Sequence, residues 1–466
     1  MTDATDTAVE LDEAARYEQQ AAVVRAWLES KLGEVVALER QARWRPAWFA
    51  TVKQPDGTER QLYVRGAREG LSNMSTLDEE AGMLQVLEQH GIPVPHVYGM
   101  IDELPAFVMD ALPGRANLGT AESEAEQRAV LDHYIEILTQ VHAIDPEEFT
   151  GIGLRVPEGA VDVALNMFDR FEQTYRSEKQ RPDPAMEFGI KWVRRNVLTH
   201  RNEPRFVTCD SAQFMFDDGR VTGLIDLELG YVGDPMQDLA SFRMRDMTEP
   251  LGDIIAGMLR YEELTGEPLD IGAIDYHLVE WSLCTPLTLC GAVQATPPLP
   301  ELMQYFEWYH QYTLTAFEAL AHIIGAEVPS VTLSAPVVTR DSTLHAALAD
   351  TIRSLTADDP VDQFRRDSTA ATAQYLHMVD LHGPGVEAAD LDDIAAVIGT
   401  RPANWADGDA ALEEFVLAAG PEHDVALTQL FIRRSLRQRL LMEPVLTMGK
   451  ISRIEPLADL IGARRG

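Results

Sequence analysis

Residues 207–240, VTCDSAQFMFDDGRVTGLIDLELGYVGDPMQDLA, set three acidic clusters around a predicted β-hairpin, and this segment constrains the chain more than any other. Residues 206–209 read as a short apolar strand ending at Asp210. Two further strands, 214–216 and 221–225, are joined by the Asp217-Asp218-Gly219-Arg220 turn, which leaves Asp226 at a strand end. A hairpin of this kind can hold Asp210, Asp226 and Gln213 near one another at the mouth of a sheet. Hard oxygen donors grouped in this way suit magnesium and point to metal-dependent phosphoryl transfer.

At these residues the chain resembles the aminoglycoside phosphotransferase-like family, small-molecule kinases with a two-lobed protein-kinase-like fold. The family pattern runs His-Gly-Asp, four residues, Asn, a hairpin, Ile-Asp-Trp-Glu and Gly-Asp-Pro-x-x-Asp-Leu-Ala. The second half is nearly whole here: Ile225, Asp226, Leu227, Glu228, then Gly233, Asp234, Pro235, Asp238, Leu239 and Ala240. The first half is altered, with Thr208 and Cys209 in the His and Gly positions and a loop two residues short between Asp210 and Gln213.

Two registers compete. If the incoming strand sets the alignment, Asp210 is the catalytic aspartate and Gln213 replaces the metal-binding Asn; if the hairpin sets it, Thr208 falls on the aspartate position. The first is preferred because it preserves a carboxylate. The resemblance then implies that Asp210 orients the acceptor hydroxyl and takes its proton, while Gln213, Asp226 and Glu228 hold magnesium on the phosphates of ATP. Asp234, before Pro235 and three residues from Gln237, reads as a helix N-cap in a capping box and so as structural. Asp238 reads as a brace for the loop. Cys209 has no His in its local motif and reads as packing.

Upstream, strands are expected at 35–38, 48–52 and 62–65, the last two joined through Pro55-Asp56-Gly57. A helix follows. Thr76 with Glu79 forms a capping-box signature, and Leu77, Leu84 and Leu87 mark its apolar face, on which Glu80 also falls. A carboxylate turned toward a core needs a cation, and Arg65 at the preceding strand end is the best placed. The pair matches the kinase strand-to-helix ion pair, with Arg65 in the lysine position, Arg68 in reserve and Glu80 as its partner. Residues 41–48, QARWRPAW, occupy the place of the nucleotide loop without a glycine, so Arg43 and Arg45 are the candidates for phosphate contact there. Residues 92–95 and 106–110 resemble the fourth and fifth strands and hinge, with Met109 and Asp110 flanking the adenine. His142 reads as a locally satisfied histidine.

With 466 residues and 45% hydrophobic content, the chain can build two or three real cores. Cys209, Cys284 and Cys290 form no disulfide or metal-ligand pattern, and no leader or spanning segment is read, so a cytoplasmic protein is expected. A net charge of −36 argues against nucleic acid or an anionic membrane as partner. The fold expected is α/β (α+β), a two-lobed kinase-like fold with a C-terminal all-helical appendage. Its divisions are a tail and helix at 1–34, with the first 13 or so residues mobile, a nucleotide lobe at 35–112, a catalytic lobe at 113–328 and a helical domain at 340–466.

In the catalytic lobe, a helix at 301–326 carries Tyr305, Trp308, Tyr309 and Tyr312 at helical spacing, which reads as core more than pocket, with the option that some of these rings cover an apolar or aromatic substrate. Residues 245–253 read as an acceptor-side loop. Helices in the appendage are expected at 344–355, 362–379, 391–398, 410–418 and 425–441. The arginine-rich run 431–442, FIRRSLRQRLLM, reads as a solvated face or a clamp on the chain's own acidic surface, with docking to another copy as the other option. The function implied is ATP- and magnesium-dependent transfer to a hydroxyl of a small molecule, an aminoglycoside or a hydroxyacyl compound being equally open. The alternative is a catalytically weakened nucleotide- or ligand-binding relative.

Overall fold

Apolar positions alternating along residues 34–66 produce three strands that pair edge to edge, and the rest of the amino-terminal architecture is built on them. The computed structural model describes residues 3–41, 45–67, 74–295, 302–357, 360–448 and 452–465. Arg43, Trp44 and Arg68 lie outside them. The chain divides into two compact units, one of Met1–Arg155 with Ala212–Tyr231 and the other of Val156–Ser211 with Val232–Gly466.

In the first unit, helix α1 (Asp3–Lys31) precedes strands β1 (Glu34–Arg40), β2 (Ala47–Lys53) and β3 (Glu59–Gly66), then α2 (Leu77–Gln89), β4 (Val97–Ile101), β5 (Ala106–Asp110) and α3 (Glu124–His142). The five strands form one antiparallel sheet in the order β1-β2-β3-β5-β4. One face packs Trp48, Val52, Leu62, Val64 and Val108 against Val24 and Leu28 of α1. Burying each such side chain contributes roughly 1.5–3 kcal/mol. Helix α1 begins at Asp3 rather than after residue 13 as expected, because that stretch contains neither Gly nor Pro to stop it. The expected fourth strand at 92–95 is also displaced. Pro93 and Pro95 cannot donate to a ladder, and pairing starts only at Val97.

The chain continues through α4 (Ala160–Glu178), α5 (Pro184–Arg195), β6 (Arg205–Val207), β7 (Phe214–Asp217), β8 (Arg220–Leu224), β9 (Tyr231–Gly233), α6 (Met236–Asp246), α7 (Ile254–Thr265), α8 (Ile271–Ala295) and α9 (Leu302–Ile324). Strands β7 and β8 form the expected hairpin, with Asp217 opposite Arg220. Its two turn residues, Asp218 and Gly219, have φ of 45° and 72°, the left-handed pair that a two-residue hairpin turn requires. Strand β6 stops at Val207, two residues early, since Cys209 turns left-handed at φ 66°. Its partner β9 carried no strand signal in the sequence.

The second unit is otherwise helical and includes α10 (Ser342–Arg353), α11 (Pro360–Ile398), α12 (Trp405–Ala418), α13 (Asp424–Met442) and α14 (Leu457–Arg465). Two expected helices, 362–379 and 391–398, are one, running straight through Gly383-Pro384-Gly385. Pro384 removes an intrahelical donor. The incoming linker packs on this step, Val337 N donating to Leu381 O at 2.8 Å and Ser334 lying where a Cβ on Gly385 would fall. A sheet-bearing lobe, a helical lobe and a helical extension make this the α/β, two-lobed protein-kinase-like fold expected.

Gly114 joins the sheet to the hairpin. Its φ is 101°, a Cβ there would strike the Phe216 carbonyl, and the next residue, Arg115, exchanges backbone hydrogen bonds with Phe216 at 2.9 Å. Gly114→Ala is expected to destabilise the protein by about 1–3 kcal/mol through backbone strain, measured by urea denaturation; an unchanged midpoint would show that this junction relaxes freely.

Candidate active site

The end of β3, the first turn of α2 and the residues after β8 converge on one charge cluster inside the first unit. The Thr76–Glu79 capping box is formed in both directions, with Glu79 N donating to Thr76 Oγ1 at 3.1 Å and Thr76 N donating to Glu79 Oε2 at 2.7 Å. That start fixes the helix rotation and turns Glu80 inward, where it is 3% exposed. Arg65 Nε lies 2.7 Å from Glu80 Oε1. The same guanidinium reaches Glu228 Oε2 at 3.0 Å and also pairs with Asp226. Arg45, itself 4% exposed, pairs with Glu228 and stands 4.0 Å from Glu80.

Burial works against the Arg65 charge, but Asp226, Glu80 and Glu228 outweigh it and hold the guanidinium above its ordinary range. Burial likewise raises the Glu80 carboxyl, because three carboxylates share two arginines and Glu80 is among the most deeply enclosed. The five groups leave one negative charge. Asp226 sits at φ 58°, a left-handed conformation rare outside glycine, and keeps 24% of its side chain open to solvent. Gln213 lies beside it in the hairpin, its carbonyl accepting from Ile225 N at 3.1 Å.

Met109 and Asp110 sit on β5, opposite Tyr63 and Leu62. The backbone donors here are in use, Asp110 N on His96 O at 3.0 Å and Ala111 N on Gln61 O at 3.1 Å. The Asp110 carboxylate accepts from the Tyr98 hydroxyl at 2.7 Å. Burial, with that carboxylate, pushes the Tyr98 phenol up to about 12.

Asp210 belongs to the second unit, where Asp238 builds its loop by accepting from Thr208 N at 2.9 Å, Thr208 Oγ1 at 3.0 Å and Cys209 N at 2.8 Å. Ser211 N donates to Ser241 Oγ at 2.9 Å and Gln237 Nε2 to Cys209 O at 3.0 Å. These bonds hold Cys209 in the left-handed conformation where the family pattern has glycine. Burial pushes its thiol well above the ordinary range, in keeping with packing. Asp210 Oδ2 pairs with Arg245 Nη2 at 2.5 Å, and Arg245 also reaches Glu249 at 3.4 Å. Nothing in the spacing of the sequence marks Arg245 as that partner, since the contact is made only when α6 folds against the loop.

Asp234 caps the start of α6 as expected, its Oδ1 accepting from Met236 N at 3.1 Å, but the reciprocal half of the box is absent because Gln237 is engaged with Cys209. Asp234 also accepts from Arg201 Nε at 2.8 Å and stands 3.2 Å from His277, whose other nitrogen is 2.6 Å from Glu280. Burial opposes the His277 charge, yet Asp234 and Glu280 raise it to about 9, while Asp234 is held down at about 2 by His277 and Arg201 against its burial.

Among the described residues, no group of three or more His, Cys, Asp and Glu is arranged to hold a metal. Magnesium ordinarily takes one or two carboxylates and completes its shell with water and phosphate oxygens. The hard oxygens of Asp226, Glu228 and Gln213, with a residual negative charge and a part-open Asp226, fit that requirement.

Residues 48–269 match the model of the phosphotransferase enzyme family (APH), and over that stretch the chain is similar to its members. Across 199 residues it is 24% identical to acyl-CoA dehydrogenase family member 10 of Mus musculus, covering 39% of this chain and 18% of that protein. Across 180 residues it is 23% identical to acyl-CoA dehydrogenase family member 11 of Homo sapiens, covering 36% and 23%. The chain thus spans less than a quarter of these relatives. Among solved structures, choline kinase LicA from Streptococcus pneumoniae aligns with a TM-score of 0.47 at 16% identity, over 65% of this chain and 99% of that one. Macrolide 2'-phosphotransferase MphH from Brachybacterium faecium gives a TM-score of 0.43 at 18% identity, over 59% and 92%. No described helix is long and apolar enough to cross a membrane.

Two tests follow from the charge clusters. Arg65→Met leaves Glu80 buried beside other carboxylates and is expected to cost about 3–5 kcal/mol, part of which Arg65→Met/Glu80→Met recovers; equal losses in denaturant titrations would deny the coupling. His277, charged in the fold up to about pH 9 against an ordinary value of 6.5, contributes stability that is complete below 6.5 and lost as pH rises through 9. Melting temperature should therefore fall across that window, and His277→Gln should flatten the fall.

Proposed function

We propose that the chain transfers the terminal phosphoryl group of ATP, with magnesium, to a hydroxyl of a small molecule in the cytoplasm. The observation that carries this reading is the Arg65–Glu80–Asp226–Glu228 cluster, which joins the end of β3, α2 and the hairpin end in the arrangement a phosphate clamp needs. In this reading residues 35–112 form the nucleotide lobe, 113–328 the catalytic lobe and 340–466 a helical domain. Bound magnesium would neutralise charge on the phosphates. Asp226, Glu228 and Gln213 would hold it, Arg65 would steady the phosphates with Glu80 as its counter-charge, and Met109 with Asp110 would flank the base of the nucleotide.

Asp210 would orient the acceptor hydroxyl and take its proton. For that it must exchange its pairing with Arg245 for the hydroxyl, and the loop bonds from Asp238 and Ser241 keep the backbone fixed while it does so. The acceptor is a small molecule bearing an alcohol; neither the family name nor the acyl-CoA dehydrogenase names of the relatives decides which.

One specific feature favours a second reading, a nucleotide-sensing relative without turnover: Asp210, Asp226 and Glu228 each already have an arginine partner. Asp210→Asn separates the two. Under phosphotransfer, it lowers magnesium-dependent ATP turnover by about 10²- to 10⁴-fold while nucleotide-induced thermal stabilisation persists, and Asp226→Asn loses both. Stabilisation by nucleotide with no turnover in the parent chain would establish the sensor instead, and unchanged turnover in Asp210→Asn would refute the register.

A further inference from the structure

Within the second unit, residues of α5, α9, α11, α12 and α13 line a part-open cavity of about 340 Å³, a size typical of small-ligand pockets. None of the residues assigned a role in phosphotransfer lines it. Rings supply much of the wall: Phe306, Tyr309 and His310 from α9, Tyr375 from α11, Trp405 from α12 and Phe431 from α13. Phe306 lies 6.4 Å from Tyr375 and 6.3 Å from His310 between ring centroids, and Phe431 is held by stacking on Phe317 at 5.2 Å and Phe188 at 5.8 Å. Leu391, Ile394 and Val379 add apolar surface. At the rim, Trp405 is 50% exposed, with Arg181 over its ring at 5.2 Å and its backbone N–H on Glu387 at 3.2 Å.

The charges deep in this space are already matched: Arg434 pairs with Asp409 at 2.8 Å and Asp390 with Arg437 at 2.5 Å, while Arg181 and Glu387, of opposite sign, both engage Trp405 at the rim. Burial, with Arg439, Arg181 and Arg434 nearby, pushes His310 down to about 3, so its ring is neutral at physiological pH. An ion entering here would have to break a buried pair or remain unpaired in a low-dielectric space, and either is costly. A purely aliphatic chain would offer no partner to the polar edge of the His310 ring. Flat rings with one hydrogen-bonding group satisfy both walls.

We propose that this cavity is a binding site for an uncharged aromatic small molecule, its ring among Phe306, Tyr375 and Phe431 and its polar edge toward His310. The site is independent of the phosphotransfer reading and gives the helical extension a function of its own.

Calorimetric titration of the full chain with 2-naphthol, 2-naphthoate and 2-naphthylmethylammonium tests the assignment. Saturable binding of 2-naphthol is expected, with each charged compound bound at least about tenfold more weakly. Gln438→Trp, which fills the cavity from α13 without touching a buried ion pair, should weaken 2-naphthol by at least about tenfold at unchanged ATP turnover. If that variant does not fold, Tyr375→Ala, which removes one ring wall, is read by the same criterion. Absence of saturation at millimolar 2-naphthol, equal affinity for a charged compound, or unaltered affinity in a folded cavity variant would each overturn the proposal.

Discussion

One guanidinium, that of Arg65, touches three carboxylates drawn from two distant parts of the sequence, and the order of the first unit depends on it. Without that cation Glu80 could not face the core, and the capped start of α2 would have no reason to hold its rotation. Without the carboxylates an arginine 5% exposed at a strand end would be an uncompensated buried charge. The cluster therefore links helix, sheet and hairpin by mutual need. It is also asymmetric, with one more acid than base.

Much of this was legible because the signals are local. The capping box at Thr76 and Glu79, the Asp218-Gly219 turn and the inward position of Glu80 each follow from residues a few places apart, so periodicity and turn chemistry suffice. The misreadings share the opposite cause. Asp234 does cap Met236 N, yet Arg201 and His277, 33 and 43 residues away, also claim its oxygens, and Gln237 turns to Cys209 instead of completing the box. In sequence, residues 380–390 read as separating two helices, but the helix is continuous there and the segment 334–337 packs on the step at Gly385. Arg245 beside Asp210 had no signature at all, since only tertiary packing makes the pair.

The arginine-rich helix α13 illustrates how charge can serve as internal adhesive. Arg433 pairs with Asp393 at 2.9 Å, Arg434 with Asp409 at 2.8 Å, Arg437 with Asp390 and Asp393 at 2.5 and 2.7 Å, and Arg439 with Glu307 at 3.2 Å. This is the clamp on the chain's own acids, one of the readings the sequence allowed. The aromatic run on α9 divides its labour in the same region: Tyr309 sends its hydroxyl to Asp183 at 2.6 Å while its ring lines the cavity. A stripe that reads as core along the helix thus also shapes an open space.

The commitment of so many arginines to inward pairs changes what surrounding water meets. A chain with 39 basic and 75 acidic side chains hides part of its minority sign, in Arg45, Arg65, Arg243, Arg437 and Arg439, beneath the surface. Among the described residues more acids than arginines are buried, Glu80, Asp183, Glu187 and Asp234 among them, and the outer skin nonetheless keeps a large excess of negative charge. It will gather a diffuse atmosphere of mobile counter-ions and hold other polyanions at a distance, so that small cations and neutral molecules approach most readily.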